Sequence, residues 1–222
     1  MSLPNEAMVT CPECGNEFSA NIWLSVNSSV SPDLKAKLMS GDLNLYKCPK
    51  CECRFEPDSE LVYHDPDKKF LIRYIPLWDG NLPAIENGDE ILRRYTLRIV
   101  TSRNMLIEKI KIFDDGLDDR VIESIKLYYL YGTRKIDLIP EDRILYLERD
   151  MGEDSEIVFL IQEGDFEPDK VRVPYKNYVG IADEVGGYFS GVSEGKWGNI
   201  GRDFATAVLS RVGIIPTGRD DE

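Results

Sequence analysis

The segment Asn21-Ile-Trp-Leu-Ser-Val26 alternates apolar and polar residues with the period of a half-buried strand. Ser31-Pro32-Asp33 then opens a helix, since Ser suits an N-cap and Pro fits the first helical turn. Leu34 and Leu38 share one face of that helix, and Gly41 stops it. Leu43–Lys47 is predicted as a strand. Leu61–Tyr63 and Lys69–Ile75 flank Asp65-Pro66-Asp67, which predicts a hairpin. Residues 77–90 are rich in Pro, Gly, Asn and Asp and are predicted as a linker or long loop.

Tyr95–Val100 fits either a strand or the start of a helix. Two helices follow, one with a stripe of Leu106, Ile107, Ile110 and Phe113, the other with Val121, Ile122, Ile125, Tyr128 and Tyr129. Asp114, Asp115, Asp118 and Asp119 lie between them, where acidic residues suit the dipole of the second helix. Arg143–Glu148 and Glu156–Ile161 predict a second hairpin, and Lys170–Val173 a third strand. Residues 180–201 hold seven glycines among 22 positions and are expected to be mostly irregular. Phe204–Arg211 is predicted as a closing helix, capped by Gly213 and ended near Pro216, with a loose acidic tail after it.

The periodicities together predict an α+β chain: a β module with helices at the N-terminus, which its cysteine pairs make zinc-ribbon-like, then a small β-hairpin and helix part. The expected organisation is a domain over 8–135, made of a ribbon-like part (8–76) and a helical part (90–132), followed by an α+β region over 141–215. At 222 residues the chain has enough material for a sizeable core, and its 42% hydrophobic and 30% charged residues are those of a globular protein. No apolar run approaches the roughly 18 residues that span a bilayer. The first residues have neither the basic start nor the apolar stretch of a secretory signal, so a cytoplasmic protein is expected.

The ribbon expectation rests on two copies of one pattern. Cys11-Pro12-Glu13-Cys14-Gly-Asn-Glu-Phe18 aligns with Cys48-Pro49-Lys50-Cys51-Glu-Cys-Arg-Phe55, with the aromatic at the same offset. Each pair places two thiolates at knuckle spacing, and Cys11, Cys14, Cys48 and Cys51 together supply the four soft ligands of a tetrahedral Zn²⁺. A residue with φ > 0 commonly follows the second cysteine of such a knuckle. Gly15 fits that position; Glu52 does not, so the second knuckle must either bear strain or turn differently. The rival reading is redox chemistry, because Cys-Pro-x-Cys resembles the glutaredoxin motif, in which a helix N-terminus activates the first thiol. Here polar, strand-like residues follow each pair. Cys53 is a fifth thiol, read either as a sensor or as a small half-buried side chain.

The two cysteine pairs, the intervening Ser-Pro-Asp-Leu-Lys helix, and the stretches Ile107–Phe113 and Gly116–Arg120 resemble the CpXC domain, a prokaryotic family named for these motifs. The resemblance covers about residues 8–132. It implies a zinc-ribbon-like module joined to helices, and it carries over no activity and no catalytic residues.

Net charge is −13, of which residues 141–222 hold −9. No segment offers the surplus of Lys and Arg that nucleic acid requires, so no nucleic acid, no membrane and a protein partner are expected. His64, the only histidine, sits beside Asp65 without an identifiable nucleophile. The Asp114–Asp119 cluster lacks the spacing of a calcium loop. Gly195-Lys-Trp-Gly198-Asn-Ile-Gly201 precedes a helix and could cradle an anion, but lacks the Lys-Ser/Thr of a P-loop. With no complete catalytic constellation, the chain reads as a zinc-binding interaction or assembly module rather than an enzyme, the alternative being a thiol-based redox or metal-sensing protein.

Overall fold

The computed structural model describes residues 2, 4–81, 90–152, 154–189, 191, 192 and 194–216. The chain is α+β, with five helices and twelve strands among them. The order begins β1 (Pro4–Thr10), β2 (Glu17–Trp23), β3 (Ser25–Asn27), α1 (Pro32–Met39), β4 (Tyr46–Lys47), β5 (Arg54–Phe55), β6 (Leu61–Asp65), β7 (Phe70–Tyr74) and β8 (Thr96–Val100). It continues with α2 (Arg103–Asp114), α3 (Asp119–Gly132), β9 (Ile144–Asp150), β10 (Glu156–Ile161), β11 (Asp169–Pro174), α4 (Tyr175–Val185), β12 (Trp197–Gly198) and α5 (Arg202–Arg211).

β1 and β2 form an antiparallel ribbon, and β4 and β5 a second, shorter one. The alternating run at 21–26 is not one strand. It breaks at Leu24, so that β2 stays in the ribbon while β3 leaves it to pair with β6 in a five-stranded sheet ordered β12-β8-β7-β6-β3. β1 itself is absent from the sequence-based prediction, and Ser2 ties the same region down by accepting the Asn27 N–H at 2.9 Å. The strand expected over 43–47 shrinks to Tyr46–Lys47, because Leu43 turns into the core and Asn44 adopts φ +59°.

Helix α1 lies where the capping residues place it, with Leu34 and Leu38 buried, although Ser31 makes no side-chain cap. These two leucines pack with Val26, Tyr63, Phe70, Ile72, Leu106 and Ile110, joining α1 and α2 to one face of the five-stranded sheet. The hairpin β6–β7 forms as expected, and β8 resolves the ambiguity at 95–100 as a strand parallel to β7.

β9, β10 and β11 form a three-stranded antiparallel sheet. Its Tyr146, Ile157 and Phe159 share a core with Val121, Ile122 and Ile125 of α3, Val185 of α4, and Val208 and Leu209 of α5. Among its described residues, the glycine-rich stretch at 180–201 is more regular than its composition predicts. α4 runs through Gly180 to Val185, and Trp197–Gly198 adds an edge strand to β8, nearly 100 residues upstream. Of the predicted linker, 82–89 lie outside the described residues, as does the tail beyond 216.

Between α2 and α3 the interior is charged. Arg98 of β8 grips Asp119 with two hydrogen bonds of 2.7 and 2.8 Å. Lys109 pairs with Glu123 at 2.8 Å, and Lys126 with Glu123 at 2.9 Å and Glu108 at 3.1 Å. Glu108 also accepts the backbone N–H of Tyr146, tying α2 to β9. All six side chains are buried. Three positive and three negative charges balance, which is the condition under which such groups tolerate removal from water.

Candidate metal centre

Each knuckle is built by its own backbone. In the first, the Cys11 N–H donates to Asn16 O at 2.9 Å and the Gly15 N–H to Cys11 O at 3.0 Å. In the second, the Cys48 N–H donates to Cys53 O at 2.9 Å and the Glu52 N–H to Cys48 O at 3.0 Å. The turns are congruent residue for residue. Glu52 therefore does not turn differently: it takes φ +62° where Gly15 takes +67°, and bears the strain of that conformation. Its carboxylate reaches Lys47 at 3.0 Å.

The β1–β2 ribbon carries the first knuckle at its turn, and β4–β5 carries the second. Phe18 and Phe55, the aromatics at equal offset, meet edge to face with centroids 6.1 Å apart. They pack with Val9 and Ile22 against Cys11 and Cys48, so the ribbons share a small apolar base beneath the thiols. Tyr46 fastens the second ribbon to the first by donating its hydroxyl to Asn21 O at 2.5 Å.

The Sγ atoms of Cys11, Cys14, Cys48 and Cys51 all lie within 4.8 Å of one another. Two short separations cross between the knuckles, Cys11 to Cys51 at 3.5 Å and Cys14 to Cys48 at 3.6 Å. A tetrahedral ion with metal–sulfur bonds of about 2.3 Å sets its sulfurs roughly 3.8 Å apart, so the donor set fits four-thiolate coordination. Cys11 and Cys48 are buried and Cys51 is exposed. The cluster can hold a metal ion, and among the described residues no other group of His, Cys, Asp or Glu is gathered this way.

As free thiols Cys48 and Cys51 shift in opposite directions. Desolvation opposes ionisation of Cys48, yet the N–H groups of Cys51 and Lys50 and the neighbouring thiols bring it down to about 6. Cys51 accepts a backbone N–H from Cys53, but the Cys14 thiol, burial and the remaining thiols outweigh it and push Cys51 up to about 12. Cys53 stands outside the cluster. It packs at the edge of the apolar base, its Sγ faces Arg54 O at 3.7 Å, and burial pushes its thiol up.

The other candidates disperse. His64 is half-buried between Tyr95, whose hydroxyl lies 3.2 Å from Nε2, and Asn27, 3.3 Å from Nδ1. Burial lowers its pKa, and Asp65 only partly opposes this. The four aspartates go to separate partners: Asp114 to Lys35 and Lys68, Asp115 to Tyr146, Asp118 to Arg120 as the cap of α3, and Asp119 to Arg98. The N-terminus of α5 is taken by a carboxylate of the chain itself, since Glu141 accepts the Arg202 N–H at 2.7 Å. Sequence reasoning named Asp119 only as a residue suited to the dipole of α3 and passed over the other five buried charges, which only the packing of β8, α2 and α3 brings together.

None of the described helices is long and apolar enough to cross a membrane. Searches of curated proteins and of solved structures return no match. The model of the CpXC protein family matches residues 9–126, more than half the chain and with both cysteine pairs inside it; the chain belongs to this family.

Proposed function

We propose that the chain is a zinc-binding, non-enzymatic interaction or assembly module. The observation that carries this reading is the convergence of Cys11, Cys14, Cys48 and Cys51 from two congruent knuckles to within 4.8 Å. Soft thiolates in tetrahedral array favour Zn²⁺, and four protein ligands leave no position for water or substrate. Zinc bound there acts as a crosslink between the ribbons, and such sites contribute on the order of 10–16 kcal/mol of apparent binding energy to folding.

The redox alternative is disfavoured by position. A reactive Cys-x-x-Cys sits at a helix N-terminus, whereas here β2 follows the first pair and β5 the second. Thiols this close would oxidise outside a reducing compartment, which supports a cytoplasmic location. A groove of about 780 Å³ between α3, α4 and α5 is lined by Ile125, Tyr128, Tyr129, Ile181 and Leu209 together with Thr133, Lys176 and Glu184, and the Thr133 hydroxyl donates to the Tyr129 carbonyl at 2.8 Å rather than to a base. It suits contact rather than chemistry. The net charge of −13 disfavours nucleic acid and anionic membrane surfaces and favours a protein partner.

Mild peroxide treatment of the reduced, zinc-loaded protein tests the reading. The structural site is expected to retain its metal while Cys53 alone reacts slowly. Rapid, reversible zinc release with disulfides within the motifs would sink the structural reading and establish the sensor.

A further inference from the structure

Two exposed patches of opposite charge lie apart from the thiol cluster. The first is at the end of the five-stranded sheet where β7, β8 and β12 begin. There the Thr96 N–H donates to Lys69 O at 2.9 Å, and the Gly195 N–H to Tyr95 O at 2.8 Å. A Cβ on Gly195 would stand 2.7 Å from Arg93 Cα, so only glycine lets these backbones approach. Three segments remote in sequence are thereby drawn together, and they bring Lys69, Arg93, Arg94 and Lys196 to one sheet end. All four are exposed, and none makes an ion pair among the described residues. Asp67, Glu90 and Glu194 are the exposed acids among the described residues of these segments, Asp67 accepting the Ser29 hydroxyl at 2.7 Å, while the adjacent Lys68 is engaged by Asp114 at 2.6 Å. Ile91, 73% exposed, stands beside the two arginines.

The second patch is the tip of the β10–β11 hairpin, Glu163-Gly-Asp-Phe-Glu-Pro-Asp169. Glu163 pairs with Lys135, but Asp165, Glu167 and Asp169 are exposed and without an ion pair among the described residues. At the centre of the tip Phe166 is 78% exposed. Lys170 follows on β11.

A bare phenylalanine among unpaired carboxylates is the form of an anchor with a charged rim. We propose that the acidic tip 163–169 of one copy docks on the basic sheet end of a second copy, with Phe166 set against Ile91. Charge complementarity carries the choice of occupant. On a chain of net charge −13, four exposed cations gathered at one place without an ion pair among the described residues attract carboxylates, and the chain displays such a group at the tip of a hairpin. Because the two patches are different surfaces, the contact is head to tail, and it builds rings or open chains rather than a two-fold dimer. Attraction between the patches acts within a Debye length of about 8 Å at physiological salt, where the repulsion of the whole chains is screened. The proposal rests on the interaction reading above and not on the metal.

Sedimentation velocity of the full, zinc-loaded chain across concentration and salt tests it. Association is expected to rise with concentration and to weaken at least about tenfold between roughly 0.1 and 0.5 M salt. A basic-patch variant (Lys69→Glu, Arg93→Glu, Arg94→Glu, Lys196→Glu) and a tip variant (Asp165→Lys, Glu167→Lys, Asp169→Lys) should each be monomeric. Mixing the two should restore association, because each variant then meets a complementary surface. Unchanged zinc content and unfolding midpoints in both keep a misfolded variant from passing as a result. A chain that stays monomeric throughout, or whose association ignores both reversals, overturns the proposal. If the tip captures only an unrelated basic protein, self-docking fails while the interaction reading stands.

Discussion

Gly15 and Glu52 hold the same turn, at φ +67° and +62°, each donating its N–H at 3.0 Å to the carbonyl of the first cysteine of its knuckle. One is the residue this backbone prefers, and the other is held there against its preference. The left-handed conformation costs an L-residue roughly 1–2 kcal/mol. The Lys47 ion pair returns little of this at so exposed a site. Glu52→Gly should therefore tighten the knuckle by up to about 1 kcal/mol, after the entropy that glycine adds to the unfolded chain. Competition against a zinc chelator should show up to about fivefold higher affinity, and Gly15→Ala a loss of similar size. Equal or weaker binding by Glu52→Gly would contradict the strain argument.

The shared apolar base gives a second expectation. Phe55 is buried and meets Phe18 edge to face beneath the thiols. Phe55→Ala should cost about 3–5 kcal/mol, the usual range for a truncated core phenylalanine, while Phe55→Leu should cost much less. The melting temperature should fall, and the zinc-release rate rise, from the native chain to Phe55→Leu to Phe55→Ala. Release rates insensitive to Phe55→Ala would mean that the ribbons are held by the metal alone.

These features show how far the sequence could be read. The repeat was legible because knuckle chemistry is local: two cysteines, a proline and an aromatic at fixed offsets announce the site before any fold is known. Leu34 with Leu38, and the stripes of α2 and α3, were legible for the same reason. The break at Leu24 was not, since alternation continues through it and only pairing of Val26 with Tyr63 shows that the strand changes sheets. α4 was masked by Gly180 and by the glycines after it, although Tyr175, Tyr178, Ala182 and Val185 carry a helical stripe that packs on α3 and β11. β12 is two residues long and is defined by a partner nearly 100 positions away. Lys109 reads as a solvated position and is wholly buried, because its partners come from another helix.

The buried charges should behave as a unit. Lys109→Met leaves Asp119 and Glu123 short of a counter-charge and should destabilise by about 3–5 kcal/mol. Adding Glu123→Leu should recover part of that loss, a coupling that a double-mutant cycle in urea would measure. Additive losses would show that the network is not coupled.

Acid should act on the same network through Asp119. Its buried carboxyl is opposed by desolvation, but Arg98 and Lys109 outweigh this and hold it at about 2, below its ordinary value of 3.8. A depressed carboxyl pKa means stability that is present above the unfolded value and lost as pH falls through the folded one. The window is therefore pH 4 down to pH 2, and the stake is about 2 kcal/mol. The stability gap between the native chain and Asp119→Asn should narrow across that window. A constant gap would contradict the assignment.

Gly201 and Glu141 make the cap of α5. A Cβ at Gly201 would lie 2.0 Å from Glu141 Oε1, so Gly201→Ala must expel the carboxylate that accepts the Arg202 N–H. Loss of this cap should cost about 1–2 kcal/mol. Glu141→Ala should match it in denaturant titration, and Gly201→Ala in a Glu141→Ala background should cost little more. Independent costs would separate the glycine from the cap.

The most direct test of the account is the metal content of freshly purified protein under reducing conditions, together with the reactivity of its thiols. About one zinc per chain, with Cys11, Cys14, Cys48 and Cys51 unreactive and Cys53 alone modified, is the expected result. A folded chain without metal, whose Cys-x-x-Cys pairs form disulfides readily, would contradict it.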